Sequence, residues 1–252
     1  MKILFVGDVY GKKGIEALER FLPVIKQETA YHILVINGEN SADGLGIRER
    51  EYKALMQLGA HAITLGNHGF SKQEIFDFID ESRLVRPINY PKNTPGKGLQ
   101  IIQFNDQKVA VISVMGRVFM HDPLNNPFEA LDDVLNNLEA DIILVDIHAE
   151  ATSEKLAIAH YLDGRVTAAV GTHTHVQTND AMMLPKGTLY ITDVGMTGAL
   201  YGILGADQGL VMQKFLTGMP TRLKPSDSKK IQLNAVLIDT DQKQIKTIQK
   251  FN

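Results

Sequence analysis

Short apolar runs recur along the first half of the chain, each separated from the next by a stretch of helical periodicity, and few architectures satisfy that alternation. Ile3 to Val6, Ile33 to Ile36 and Ala62 to Leu65 are too short for helices and rich in Ile, Leu and Val, so they read as buried strands. Between them, Ile15, Leu18, Phe21, Leu22 and Ile25 repeat at helical spacing, as do Tyr52, Leu55, Met56 and Leu58. Ser71-Lys72-Gln73-Glu74 has the form of a capping box opening a helix through Ile75, Phe76, Phe78 and Ile79. The start is therefore β-α-β-α-β-α, which calls for a sheet with helices on its faces.

The middle changes character. Leu99 to Phe104 and Val109 to Val114, with Asn105-Asp106-Gln107-Lys108 between them, predict an antiparallel hairpin. A helix is expected from Glu129 to Leu138, strands at Ile142 to Ile147, Thr167 to Val170 and Leu189 to Thr192, and a closing hairpin from Ile231 to Ile238 and Gln244 to Lys250. Gly195 to Pro225 is punctuated by Gly and Pro and yields no assignment. These patterns support an α/β or mixed α+β fold with a second or mixed sheet. No repeat, low-complexity tract or linker interrupts the 252 residues, which read as one domain, 1–252.

Composition narrows the chemistry. With 44% apolar and 22% charged residues a large core can form. The absence of cysteine excludes disulfides, thiolate metal sites and cysteine nucleophiles, so any metal must be held by oxygen and imidazole. The apolar run after Met1 is too short for a signal peptide and ends in Asp8, and no stretch is long enough to span a bilayer, so a cytoplasmic protein without a membrane partner is expected. Net charge is −3 with dispersed basic residues, which argues against duplex nucleic acid and leaves room for a small phosphorylated ligand. Homo-oligomerisation is left open.

The residues that follow the apolar runs form a series: Asp8, then Glu39 and Asn40, then Asn67 and His68, then His148, then His173 and His175. In open α/β sheets ligands bind beyond the carboxyl ends of the strands, where residues distant in sequence converge. Two hard divalent cations a few ångströms apart need carboxylates, one of them bridging, with imidazoles completing each shell, and such a set favours manganese, iron or zinc. Flanking glycines, as in Gly7-Asp8, Gly38-Glu39 and Gly66-Asn67-His68-Gly69, permit sharp turns around ions and substrate.

Each member has a plainer reading. Asp8 alone fits a turn or helix cap, Asn67 a left-handed turn, and His148 a satisfied histidine under a loop. His173-Thr174-His175 is more specific, because alternating histidines on an extended segment suit a metal better than packing. His32, His61 and His160 fall at strand starts or inside a helical pattern and are read as structural, while His121 lies in a loop. Asp193 and Asp146 could orient a ligand histidine or serve turns. Thr152 is expected to cap a helix that Glu150, Thr152 and Glu154 open. Arg117 and Arg165 could meet a phosphate but suit surface pairing better.

At these positions the sequence resembles the calcineurin-like metallophosphoesterases, whose blocks are an aspartate after the first strand, a carboxylate after the second, Gly-Asn-His after the third, a lone His and a paired His-x-His. It is more similar still to one branch, the YmdB-like 2′,3′-cyclic nucleotide phosphodiesterases, through Gly7-Asp8-Val9, Asn37-Gly38-Glu39-Asn40, Leu65-Gly66-Asn67-His68, His148 to Lys155, Gly171 to Val176 and Thr192 to Gly198. Two departures from the broad family favour this branch over a generic protein phosphatase. Tyr10 stands where most members carry a metal-binding histidine, and Glu39-Asn40 replaces the usual bridging aspartate.

The resemblance implies a four-layer α/β/β/α sandwich of two mixed sheets flanked by helices, with the metals at one edge. It implies Asp8, Glu39, Asn40 and His175 around one ion, Glu39, Asn67, His148 and His173 around the other, with Glu39 the bridge. The ions would be iron or manganese before zinc. His68 would stand beside them as the catalytic residue, contacting phosphate or protonating the departing oxygen. Metal-generated hydroxide would then attack the phosphorus of a small cyclic nucleotide. Competing readings are a phosphomonoesterase or short-RNA nuclease, a non-catalytic nucleotide-responsive regulator, and a purely structural domain.

Overall fold

A computed structural model describes residues 1–252. The chain runs β1 (Lys2–Val6), β2 (Asp8–Val9), α1 (Gly11–Thr29), β3 (Ile33–Asn37), α2 (Glu49–Gln57), β4 (Ala62–Thr64) and β5 (Leu84–Val85). The hairpin β6 (Leu99–Phe104) and β7 (Gln107–Met115) is followed by α3 (Pro127–Leu135), β8 (Ile142–His148), α4 (Thr152–Leu162), β9 (Ala168–Thr172), β10 (Met182–Met183) and β11 (Leu189–Ile191). Last come β12 (Met196–Ala199), α5 (Gln208–Thr217), β13 (Ile231–Asp239) and β14 (Gln244–Phe251).

These strands form two mixed sheets. The larger has eight strands in the order β2-β12-β13-β1-β3-β4-β5, with β14 also paired to β13, and the smaller has six in the order β10-β11-β9-β8-β7-β6. At the centre of each, neighbours are parallel: β1 with β3 and β3 with β4 in one, β7 with β8 and β8 with β9 in the other. β1 is inserted between β3 and the antiparallel β13, with Lys2 opposite Asp239 and Val6 opposite Ala235.

Alternation within the apolar runs fills three cores at once. Ile3, Phe5, Ile33 and Val35 meet Val109, Val111, Leu144 and Val170 between the sheets. Their neighbours Leu4, Leu34 and Ile36 face outward, under Leu18, Phe21 and Ile25 of α1 and Leu55 of α2. On the other side Ile112, Val145 and Ala169 pack under Leu131 of α3 and Ile158 and Leu162 of α4. Strands buried on both faces read as continuous apolar runs, which is why they were visible in the sequence. The outcome is the expected sandwich: helix, sheet, sheet, helix. No helix is long and apolar enough to cross a membrane.

Local chemistry departs from expectation in several places. Residues 73–77 form a 3₁₀ helix whose preceding residue is Lys72, and Ser71 caps nothing. The Glu74 carboxylate instead accepts the Glu49 N–H at 3.1 Å, satisfying a free donor at the start of α2. α3 begins two residues early because the Asn126 side chain accepts the Phe128 N–H at 3.0 Å and Pro127 suits a first helical turn. Thr152 lies inside α4, after Ala151, rather than capping it. The unassigned region 195–225 holds β12 and α5, the latter capped by Asp207, whose side chain accepts the Leu210 N–H at 2.9 Å.

Gly7 joins β1 to β2 under a backbone contact that admits no side chain, since a Cβ there would lie 1.8 Å from the Gly195 carbonyl oxygen. Gly7→Ala is therefore expected to lower stability by about 1–3 kcal/mol, the usual range for overpacking. Urea unfolding of the variant beside the wild type measures it; unchanged stability would mean the Gly195 backbone yields freely.

Candidate metal centre

All the strand-end residues singled out in the sequence meet at one edge of the sandwich. Asp8, Glu39, Asn40, Asn67 and His68 come from the carboxyl ends of β1, β3 and β4 in the larger sheet, and His148, His173 and His175 from the ends of β8 and β9 in the smaller. Asp8, Glu39 and His148 are fully buried.

Contacts fall into two groups sharing Glu39. In one, His148 Nε2 lies 3.1 Å from Glu39 Oε1, 2.9 Å from Asn67 Oδ1 and 3.1 Å from His173 Nδ1. In the other, Asn40 Nδ2 lies 3.2 Å from Glu39 Oε1 and 3.3 Å from His175 Nε2, and the latter is 3.8 Å from Asp8 Oδ1. Donor atoms of Glu39, His148 and His173 all fall within 4.8 Å of one another, close enough to share one ion. His68 stands beside both groups, its backbone N–H donating to Glu39 Oε2 at 3.1 Å.

The electrostatics call for positive charge. Asp8 Oδ1 is buried without a hydrogen-bond partner, an arrangement native proteins avoid unless another group satisfies it. Burial pushes the Asp8 carboxyl up to about 6 against the pull of His175 and His148. Burial also opposes ionisation of Glu39, yet the His148 imidazole beside it holds that carboxyl down at about 2. Burial likewise disfavours charge on His148, but Glu39 draws it up to about 9. His173 goes the other way, lowered to about 3 by burial and by His148.

Tautomers follow from the neighbours. Thr172, paired with His148 across β8 and β9, donates its hydroxyl to Asp146 Oδ1 at 2.7 Å and accepts from His148 Nδ1 at 2.8 Å. Nε2 is thus the nitrogen turned to Glu39, and the place a proton takes between them is a place for a cation. His173 Nε2 faces Glu150 Oε2 at 3.1 Å, which leaves Nδ1 toward the cluster. The donor set and the unpartnered Asp8 oxygen fit divalent ions.

Known proteins match this chain over nearly its whole length. Residues 4–251 match the family of YmdB-like proteins. The chain belongs to the YmdB-like family. A Bacillus subtilis member, named 2′,3′-cyclic-nucleotide 2′-phosphodiesterase, is 48% identical over 251 residues, covering 98% of this chain and 94% of the relative. The crystal structure of a hypothetical protein from Thermus thermophilus superposes with a TM-score of 0.95 at 42% identity and covers 100% of both chains. That of a novel phosphatase from Mycoplasma pneumoniae gives 0.91 at 34% identity, covering 100% of this chain and 93% of the other.

In this YmdB-like chain Asp193 takes the turn role of its two expected readings, while Asp146 reaches a histidine only through Thr172. Asp146 touches no histidine: it accepts from Thr64 Oγ1 at 2.5 Å and Asn37 Nδ2 at 3.1 Å as well as from Thr172. Asp193 holds the turn between the paired histidines, accepting from Thr174 N at 3.0 Å, Thr174 Oγ1 at 2.7 Å and Gly195 N at 2.8 Å. It also pairs with Lys155 Nζ at 2.7 Å, both side chains being wholly buried. That anchoring matters because His173 and His175 sit at φ 100° and 66°, a backbone region that non-glycine residues rarely occupy.

Arg165 pairs with Asp132 at 2.7 Å, the surface pairing expected of it, and Arg117 is exposed. His32 and His61 each accept a backbone N–H through Nδ1, from Lys2 and Leu34, while His160 lies on α4 and His121 in an exposed loop. Sequence reasoning gave no such role to Glu150, Thr172 or Lys155. The first two adjoin motif histidines, whereas a helical lysine gives no sign of burial.

A cavity of about 380 Å³ opens over the cluster, lined by Glu39, Asn40, His68, His173 and His175 among others. A larger one, about 580 Å³, lies beside α1 among Lys12, Glu16, Glu19 and Arg50 and has no comparable donor group. Asp193→Ala would leave the Lys155 charge buried and unpaired and is expected to destabilise by roughly 3–5 kcal/mol. Lys155→Met should cost less, since Asp193 keeps Thr174 and Gly195 as donors. Chemical unfolding of both variants gives the order; equal losses would contradict it.

Proposed function

We propose that this chain is a dinuclear-metal phosphodiesterase acting on small cyclic nucleotides of the 2′,3′ type, with residues 1–252 working as one unit. The observation that carries the reading is the pair of donor groups joined at Glu39, with a buried, unpartnered Asp8 oxygen at one end. One ion belongs with Glu39, Asn67, His148 and His173, the other with Asp8, Glu39, Asn40 and His175. Turning the Asn40 amide over presents its oxygen to the second. Oxygen and imidazole ligands favour iron or manganese, then zinc. When bound, the ions supply Lewis acidity toward phosphate oxygens and acidify water near neutral pH.

The chain's own residues do the rest. Thr172 and Asp146 fix the His148 ring, and Glu150 fixes His173. His68, placed by its N–H bond to Glu39 and lining the cavity, delivers a proton to the departing ribose oxygen. The name of the Bacillus relative supports the substrate class. The description of the Mycoplasma structure as a phosphatase favours one competing reading, monoester hydrolysis.

Protein purified without chelators is expected to carry two equivalents of metal by mass spectrometry and to turn over 2′,3′-cyclic AMP faster than AMP. His68→Ala should keep both ions and lose turnover by about 10²- to 10⁴-fold, the range typical of a general acid. Chelator-insensitive turnover, or protein devoid of metal, would refute the reading; faster hydrolysis of AMP would favour the monoesterase.

A further inference from the structure

The cavity over the cluster has two unlike sides. Its floor is the set of carboxylate, amide and imidazole groups already described, but its rim carries Leu45, Leu204 and Leu223, exposed by 47%, 50% and 41%. Large apolar side chains left this open beside a polar centre call for an explanation.

The backbone under Leu204 sharpens the question. Ile203 and Ala206 exchange both backbone hydrogen bonds, at 2.9 and 3.0 Å, and between them Leu204 and Gly205 have φ of 50° and 89°. Two successive left-handed residues make a turn that favours Asn-Gly, and here leucine occupies the asparagine place. Strain kept at such a position points to a function for the side chain. The Leu204 carbonyl meanwhile accepts from His175 Nδ1 at 3.1 Å, which ties the turn to the donor cluster.

Leu45 is placed by the same device. The Tyr10 ring lies between Gly44 and Gly205, where an added Cβ would come within 2.4 and 2.5 Å of its atoms, and its edge meets His175 at 5.8 Å. Each of those glycines is adjacent to one exposed leucine, so the clamped tyrosine fixes both. Three polar groups nearby are engaged: Asp43 with Arg48, Thr174 with Asp193 and Glu150 with His173.

We propose that Leu45, Leu204 and Leu223 form the nucleobase subsite of this centre, gripping the base by apolar contact. The inference rests on the phosphodiesterase reading above for the placement of phosphate on the floor. A volume of about 380 Å³ suits a ligand the size of a nucleotide. Purines, with more apolar area than pyrimidines, bind such a wall more tightly.

The test compares 2′,3′-cyclic AMP, 2′,3′-cyclic UMP and the base-free glycerol 1,2-cyclic phosphate on wild type, Leu204→Asn and Leu223→Ser. Leu204→Asn suits the turn and keeps the carbonyl on His175. KM for the nucleotides should rise about tenfold, adenine more than uracil, with kcat within about twofold and the base-free substrate unaffected. Equal effects on all three substrates, or none, would overturn the subsite. Equilibrium binding of AMP against inorganic phosphate reads the wall without turnover. AMP affinity that drops in the variants while phosphate affinity holds would support the wall even if wild type hydrolysed no cyclic phosphate, an outcome that would defeat only the phosphodiesterase reading. AMP affinity equal in wild type and variants would defeat the wall.

Discussion

One buried carboxylate joins the two halves of this molecule. Asp146, on β8 of the smaller sheet, accepts from Thr172 in its own sheet and from Thr64 and Asn37 at the ends of β4 and β3 in the larger one. Those donors sit where the apolar filling between the sheets gives way to the polar cluster. A carboxylate satisfied from both sides fixes how the sheets meet, and an unsatisfied one so deep would be costly. The whole donor cluster depends on that seam, because Glu39 and Asn67 follow strands of one sheet and His148 and His173 follow strands of the other.

A second buried charge does the local work. Lys155 and Asp193 are both inaccessible to solvent, and isolated ion pairs of this sort add little stability. This pair has a geometrical consequence instead, because Asp193 also grips both donors of Thr174, the residue between the two histidines. The histidines occupy strained backbone conformations, which persist only where the surroundings over-determine them. α4, through Lys155, thereby braces the turn that brings both imidazoles back toward Asp8 and Glu39.

What could be read from the sequence follows from burial. Strands covered on both faces appear as unbroken apolar runs, so their ends, and hence Asp8, Glu39, Asn40, Asn67, His68, His148, His173 and His175, stood out. Capping was less legible: Ser71 and Glu74 have the spacing of a box, but Glu74 serves a neighbouring helix, a tertiary choice that local pattern does not encode. β12 escaped notice because Met196 to Ala199 is short and contains glycine, and α5 because its apolar residues follow no clear face. Leu204 lay inside that unread stretch, and only its backbone angle and its neighbours distinguish it from any other loop leucine.

The insertion of β1 between β3 and β13 also bears on biosynthesis. The smaller sheet is drawn wholly from residues 99–191, so the ribosome delivers it as a continuous piece. The larger sheet is different: one long edge of its first strand waits for a partner more than two hundred residues downstream. Pairings that distant are slow to form and leave an open strand edge in the meantime. A nascent chain of this protein therefore carries an unfinished sheet until β13 has been made.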